Sequence, residues 1–173
     1  MICYKRITWE EILPIWEEHL TTTMSTEPTS AMCFFLGDDN QPAYDLKNMQ
    51  FTPTFWGAFH NDKLVGVNSG HMCVDRLYRS RGLVVLPEYR GLGLGQKLLM
   101  KTIAQAKQEK AIVCWSYPKL DILHTYMSVH FSRKNPYFNF LDMETIETLN
   151  TRAAYIIDEK GIDAYHKEYY KKV

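Results

Sequence analysis

The sequence predicts an α/β fold of the α+β type. A mixed central sheet of about six or seven strands is flanked by helices, with a helical extension at the carboxyl end. Three observations predict it. Short apolar runs bounded by turn residues alternate with segments whose apolar residues repeat at helical spacing. A glycine-rich turn, Arg90-Gly91-Leu92-Gly93-Leu94-Gly95, joins one such strand to one such helix. The 173 residues, 46% hydrophobic and 23% charged, suit a single domain over 1–173, with about 142–173 forming the extension.

The elements follow in order. Ile2 to Ile7 reads as a first strand. Thr8 and Glu11 then make a capping box ahead of Trp9, Ile12, Leu13, Trp16 and Leu20, which share one helical face. Both tryptophans lie on that stripe and read as core. Pro14 should kink this helix or confine regular helix to one side of it. From Thr21 to Pro53 the periodicity fades, and a loop of that length within a domain points to function or mobility. Thr54 to His60 and Lys63 to Cys73 read as a strand pair around a turn at Asn61-Asp62. Arg79 to Leu86 supplies another strand, stopped by Pro87.

Beyond the glycine turn, Leu98, Leu99, Thr102, Ile103 and Ala106 mark the inner face of a helix running to about Lys110. Ala111 to Trp115 is a short buried strand, Pro118 suits the first turn of a helix through His130, and Tyr137 to Leu141 reads as a strand. Met143, Ile146, Leu149, Ala153 and Ile157 fit helical spacing, although Ala153 to Ile157 fits a strand as well. Gly161 breaks the pattern before a last basic, tyrosine-rich helix.

Composition narrows the function classes. Twenty basic and twenty acidic residues cancel, which removes the electrostatic footprint of a general nucleic-acid or membrane-surface binder. Cys3, Cys33, Cys73 and Cys114 stand far apart, and no charged-then-apolar leader opens the chain, so a cytoplasmic location is expected. No histidine spacing resembles a metal motif, so no metal is expected. No apolar run approaches the roughly 18 residues of a membrane span.

The glycine turn carries the chemistry. Glycines admit positive φ and close approach of a ligand, and the unpaired amides at the following helix start favour an anion such as a pyrophosphate. A nucleoside-triphosphate loop is excluded, because Gln96-Lys97-Leu98 stands where a Lys-Ser/Thr pair would follow. A dinucleotide fingerprint fits poorly, since Ile112 to Trp115 occupies the region of the ribose-binding acid.

Val85-Leu86-Pro87-Glu88-Tyr89-Arg90-Gly91-Leu92-Gly93-Leu94-Gly95 resembles the cofactor loop of the GNAT superfamily of acyl-coenzyme A-dependent N-acyltransferases, Arg/Gln-x-x-Gly-x-Gly/Ala after a strand ending Val-x-Pro. Downstream, Tyr126-Met127-Ser128-Val129-His130-Phe131 is similar to the family's Tyr-x-x-x-Gly-Phe, with His130 in place of the glycine. The order of elements from Ile2 to about Leu141 agrees. Trp115-Ser116-Tyr117-Pro118 departs from the Asn-x-x-Ala of many relatives, and the last thirty residues or so match no motif of the family.

The resemblance implies an N-acetyltransferase that moves an acetyl group from acetyl-coenzyme A to a primary amine by direct attack in a ternary complex. Arg90, Gly91, Leu92, Gly93, Leu94, Gly95 and Gln96 would hold the pyrophosphate, and Val84, Val85 and Leu86 would pair with the pantetheine arm. Tyr126, protonated at neutral pH, would be the general acid for the departing thiolate. His71 or Asp75 is the candidate base, with Glu88 a weaker one, because Arg79 stands near the place where some relatives carry a glutamate. Tyr44, Trp56 and His71 are candidates for the acceptor wall, while Phe55 and Trp56 read equally as core. The acceptor could be a small amine, an aminoglycoside-like compound, a peptide amino terminus or a protein lysine. The run Tyr165 to Lys172 suits a homodimer contact or a solvated terminus. Two other readings are a non-catalytic coenzyme A-binding or protein-interaction module, and a nucleotide-binding regulatory domain, against which the missing Lys-Ser/Thr pair and ribose-binding acid argue.

Overall fold

A computed structural model describes residues 1–20, 53–73, 76–132 and 153–169. Strand β1 (Ile2–Ile7) leads into helix α1 (Trp9–Leu20) through the expected capping box. The Thr8 amide donates to Glu11 Oε2 at 2.7 Å, and the Glu11 amide donates to Thr8 Oγ1 at 3.3 Å. Helix α1 continues on both sides of Pro14, so of the two expected effects, a kink or confinement to one side, confinement does not occur. Pro14 lies only six residues into the helix, so it removes one bond near the first turn, and the buried faces of Ile12, Ile15 and Trp16 hold the segment together across it.

Strands β2 (Thr54–His60) and β3 (Lys63–Met72) form the predicted hairpin. Asn61 and Asp62 both take positive φ, 49° and 64°, as a two-residue turn matched to strand twist requires. Then come β4 (Leu77–Val85), helix α2 (Leu94–Gln108), β5 (Val113–Ser116), helix α3 (Leu123–Met127), β6 (Ala153–Ile156) and helix α4 (Glu159–Tyr169). Among the described residues the strands form one sheet in the order β1-β2-β3-β4-β5-β6, antiparallel throughout except for β4 against β5.

Helices lie on both faces of the sheet. On one, α2 buries Leu94, Leu98, Leu99, Thr102, Ile103 and Ala106, which include the whole predicted stripe. Its anchor is polar: Asn68 on β3 donates to Thr102 Oγ1 on α2 at 2.8 Å and to Ser80 Oγ on β4 at 3.0 Å. On the other face α1 packs Ile12, Ile15 and Trp16 against Ile7, Phe55, Phe59 and Val67.

A bulge in β4 reconciles the two faces. Val67 pairs with Val84, but Ser69 pairs with Arg81, so β4 carries one extra residue there. Tyr78 and Ser80 face α2 before the bulge and Leu83 and Val85 face it after, because the extra residue resets the alternation. Gly82 takes it up, with φ +73°, and a Cβ there would lie 2.5 Å from the Trp16 ring. Trp16 therefore seats directly on the bulge.

Several expectations are corrected. Pro118 does not open a helix; α3 starts five residues later, at Leu123, because Pro118 is itself buried in the core and the chain reaches α3 through turns at Lys119 and Leu120. Ala153–Ile156 resolves to a strand, since it completes the ladder of β5 by pairing Ala153 with Ser116 and Ile156 with Val113. The carboxyl-terminal part is thus not purely helical. Gly161 does not break a helix but lies inside α4, where its lack of a side chain lets the first turn rest on Ile112 and accept the Asp158 cap, Gly161 N–H to Oδ1 at 3.0 Å. The segment 21–52, the expected strand Tyr137–Leu141, the apolar positions Met143, Ile146 and Leu149 and the end of the tail, 170–173, lie outside the described residues.

Burial holds the Tyr78 phenol well above its ordinary value near 10, with the 2.9 Å hydrogen bond to Thr54 opposing, and burial pushes the Cys114 thiol up as well. As pH rises past 10 the unfolded chain releases the Tyr78 proton and the folded chain keeps it, so stability falls. In urea titrations between pH 10 and 11.5, Tyr78→Phe should lose stability less steeply than wild type, by up to about 1.4 kcal/mol per pH unit.

Candidate active site

The strand end and the glycine turn are built from local bonds. Leu86 N–H donates to Val65 O at 3.0 Å, and Pro87–Tyr89 then makes a single 3-10 turn closed by Arg90 N–H to Pro87 O at 3.2 Å. Arg90 folds its side chain back, Nε donating to Val85 O at 3.0 Å. Gly91 and Gly93 both have φ +76°, which a residue with a Cβ adopts only under strain, and a Cβ on Gly91 would meet nothing within 4 Å. Helix α2 starts at Leu94, and its first bond runs from Lys97 N–H to Gly93 O at 3.2 Å. The amides of Leu94, Gly95 and Gln96 precede that bond and have no partner within the helix. Among the described residues no side chain caps this end, and no acid stands in its first turn to offset the positive dipole.

The predicted loop residues divide by role. Leu94, the first residue of α2, is buried with Ala58 and Val65 of the sheet, and Leu92 points outward with 64% of its surface exposed. Gln96 gives its side chain to Ser128 Oγ at 2.8 Å, tying the start of α2 to the turn after α3.

Beside the loop, the sheet opens. Strand β4 pairs with β5 only at Leu77 to Arg79, against Val113 to Trp115. From Ser80 to Val85, β4 continues with β3 on one side and no rung to β5 on the other. Burial records the gap: β3 is buried from Val65 to Met72, whereas the next strand inward is only half-buried from Arg81 to Val85. A central strand with half-buried backbone offers N–H and C=O groups to an extended ligand, and the predicted Val84, Val85 and Leu86 lie at the mouth of this wedge, next to the glycine turn.

Tyr126 lies at the apex. It comes from α3, is 2% exposed, and sets its ring edge-on to Phe131 at 5.1 Å. Its hydroxyl is 3.2 Å from Ser116 Oγ, and Ser116 Oγ is 2.8 Å from the Ser80 carbonyl, immediately beyond the last β4–β5 rung. Burial raises the Tyr126 pKa, while hydrogen bonds from Ser116 and Ser80 oppose that rise, so the phenol is protonated at neutral pH. The second motif places it there. Phe131 N–H bonds back to Tyr126 O at 3.1 Å across a turn in which His130 has φ +69°. The position where the resembling family has glycine is therefore a left-handed one, occupied here by a residue that bears the strain.

The other candidates scatter. His71 is fully buried in β3, in register with Arg79, on the face turned away from α2. Arg79 lies over Trp115, 4.8 Å from the ring centroid, and over Tyr117 at 5.7 Å. Trp56 packs beneath α2, with Lys101 and Arg6 each 5.6 Å from its ring, and β3 separates it from the wedge. Phe55 is core against Trp9. Glu88 is exposed and ion-paired with Lys63 at 3.1 Å, and its own backbone hydrogen bond together with Lys63 lowers its pKa. Asp75 and Tyr44 lie outside the described residues. Sequence reasoning missed Ser80, Ser116 and the bulge, although Gly82 inside a strand pattern is the signal that marks a bulge. Among the described residues no cluster of three or more His, Cys, Asp or Glu could hold a metal, and no helix is long and apolar enough to cross a membrane.

The sequence profile of the acetyltransferase (GNAT) family matches residues 15–127, from within α1 to the end of α3, enclosing the glycine turn, the wedge and Tyr126. The chain belongs to the GNAT family. Solved GNAT-type structures share its fold. An IAA acetyltransferase from Bacillus cereus superposes with TM-score 0.59 at 16% identity, over 91% of this chain and all of that one (100%). An acetyltransferase of the GNAT family from Staphylococcus aureus gives 0.57 at 17%, over 90% and 99%. The paia N-acetyltransferase from Thermoplasma acidophilum, solved in complex with coenzyme A, gives 0.55 at 13%, over 91% and 99%. Compared by sequence with curated proteins, the chain matches none.

The strained turn of this GNAT chain is directly testable. His130→Gly should relieve a left-handed cost of about 1–2 kcal/mol, partly offset by a more flexible unfolded chain, for a net gain of about 0.5–1 kcal/mol. A melting temperature equal to or below wild type by calorimetry would contradict this.

Proposed function

We propose that the protein is an N-acetyltransferase that moves an acetyl group from acetyl-coenzyme A to a primary amine by direct attack in a ternary complex. One observation carries the reading: the opening between β4 and β5 runs from the glycine turn at one end to the Tyr126 hydroxyl at the other. A long cosubstrate with a diphosphate at one end and a thioester at the other fits such a path. The donors are suited to it as well, with open space at Gly91, a helix start that no described side chain caps, and a half-buried strand edge between them.

Each residue then has a part. Amides from Gly91 to Gln96 hold the pyrophosphate with the helix dipole behind them. The edge of β4 turned away from β3 pairs with the amides of the pantetheine arm as an added strand would, ending near Val84, Val85 and Leu86, where Val85 O already accepts from Arg90 and Leu86 N–H already bonds Val65. An N–H of β4 near the Gly82 bulge donates to the thioester carbonyl and stabilises the oxyanion that develops there. The neutral amine attacks the carbonyl carbon, the C–S bond breaks, and Tyr126 gives its proton to the departing sulfur, regaining one from water. The amine's surplus proton leaves through solvent or through His71 or Asp75. The acceptor enters on the face turned away from α2, where His71 and Arg79 lie. Among the described residues Cys3 and Cys114 form no disulfide, which suits a reducing cytoplasm.

Two variants test the two ends separately. Gly93→Ala forces a Cβ into φ +76° and should weaken acetyl-coenzyme A binding about tenfold by titration calorimetry, with a modest loss of stability. Tyr126→Phe should lower kcat for thiol release on an amine panel about a hundredfold while leaving acetyl-coenzyme A affinity within twofold. Heat of binding without thiol release from any amine would instead favour a non-catalytic coenzyme A-binding module, and no affinity for coenzyme A or its acetyl ester would overturn the proposal.

A further inference from the structure

The wedge closes on a small polar cluster inside an otherwise apolar region. Around Tyr126 lie Leu99, Cys114, Leu123, Val129 and Phe131, all buried. Ser80 and Ser116 are the residues next after the last β4–β5 rung, at Arg79 and Trp115, and both are buried. Serines in that position would cost stability without partners. Their partners are unequal. Ser80 exchanges hydrogen bonds with Asn68, 3.0 Å to its Oγ and 3.4 Å back to Oδ1, Asn68 is braced by Thr102 on α2, and Ser80 acts on the Tyr126 phenol less than Ser116 does. Ser116 has one proton and two takers, the Ser80 carbonyl at 2.8 Å and the Tyr126 hydroxyl at 3.2 Å.

That arrangement matters when Tyr126 changes charge. A phenol that gives its proton to a leaving sulfur becomes a phenolate, and a buried phenolate is costly unless a donor turns toward it. The neutral phenol competes weakly for the Ser116 proton against the nearer carbonyl, and the phenolate competes strongly. We infer that Ser116 is a positioning residue for the general acid, its hydroxyl turning from the Ser80 carbonyl to the Tyr126 oxygen as the phenol proton passes to the departing sulfur. This rests on the reading of Tyr126 as the general acid. No proton is gained or lost at Ser116: the O–H bond of Tyr126 breaks, an S–H bond forms, and Ser116 only exchanges one acceptor for another. Asn68 and Thr102 keep the apex rigid, so the Ser116 torsion is the part that moves.

The test measures acetyl-coenzyme A-dependent thiol release with the amine of the panel that turns over fastest, in wild type, Ser116→Ala, Ser116→Thr, Tyr126→Phe and the Ser116→Ala/Tyr126→Phe double variant. Ser116→Ala should lower kcat about tenfold, as loss of a hydrogen bond to a charged group does. KM for acetyl-coenzyme A should stay within twofold. The alkaline limb of the kcat profile, where Tyr126 loses its proton, should move to higher pH, because the phenolate has lost a donor. Ser116→Thr, which keeps the hydroxyl, should restore most of the rate. Where Tyr126 is already Phe, removing the serine hydroxyl should cost nothing more.

An unchanged kcat in Ser116→Ala, or the same tenfold loss with Phe at 126, would overturn the inference while leaving the general acid in place. An unchanged kcat in Tyr126→Phe would instead remove the general acid, and this role with it. Should Ser116→Ala fail to fold by circular dichroism, Ser116→Cys keeps the volume with a weaker donor and is read by the same limits.

Discussion

Three rungs of parallel pairing join β4 to β5, and the pairing stops at Arg79 and Trp115. Had it continued, β4 would be an ordinary central strand with every amide and carbonyl satisfied by neighbours, and the molecule would have no place for an extended guest. Because it stops, the backbone from Ser80 to Val85 stays half-buried and open on one edge, pointing from a core hydroxyl toward a glycine turn. The parting is thus the constraint on which loop, strand and tyrosine all depend, since each lies at one end or along one side of it.

What keeps the parting in place is spread over both faces of the sheet. On the α1 face, Trp16 fills the space over Gly82, so the bulge is held by a large buried aromatic ring rather than by backbone alone. On the α2 face, the Asn68, Ser80 and Thr102 bonds tie the same stretch of β4 to the helix that follows the glycine turn. A shift of α2 along its axis would break buried hydrogen bonds, each of which costs more to leave unmade than it contributes when made. The start of α2 and the stretch of β4 beside Tyr126 are therefore parts of one braced unit.

Tyr126 shows how a core position can also carry a polar contact. Its ring is packed as any buried aromatic would be, and only the hydroxyl meets polar groups, at the one place where two strands leave each other. Burial among apolar residues raises the pKa of the phenol, and hydrogen bonds with Ser116 and Ser80 oppose that rise. The strained His130 turn directs the chain from Tyr126 back along its own carbonyl and so fixes the ring from the other side.

Sequence alone determined the local pieces. The capping box at Thr8 and Glu11, the Asn61-Asp62 hairpin, the stripe on α2 and the glycine turn each follow from residues within a few positions of one another, where backbone geometry and short-range bonding decide. The two motifs spanning Val85 to Gly95 and Tyr126 to Phe131 named the family for the same reason, since each is contiguous. Only the tertiary structure decided that Ala153–Ile156 is a strand, that Pro118 is core rather than helix start, and that Ser80, Ser116 and Tyr126 meet. Those outcomes rest on pairing partners 36 or more residues apart for β5 and its neighbours, and no local pattern encodes where a ladder between distant strands ends. The apex of the wedge is defined by that end point, which is why its serines were invisible until the strands were placed side by side.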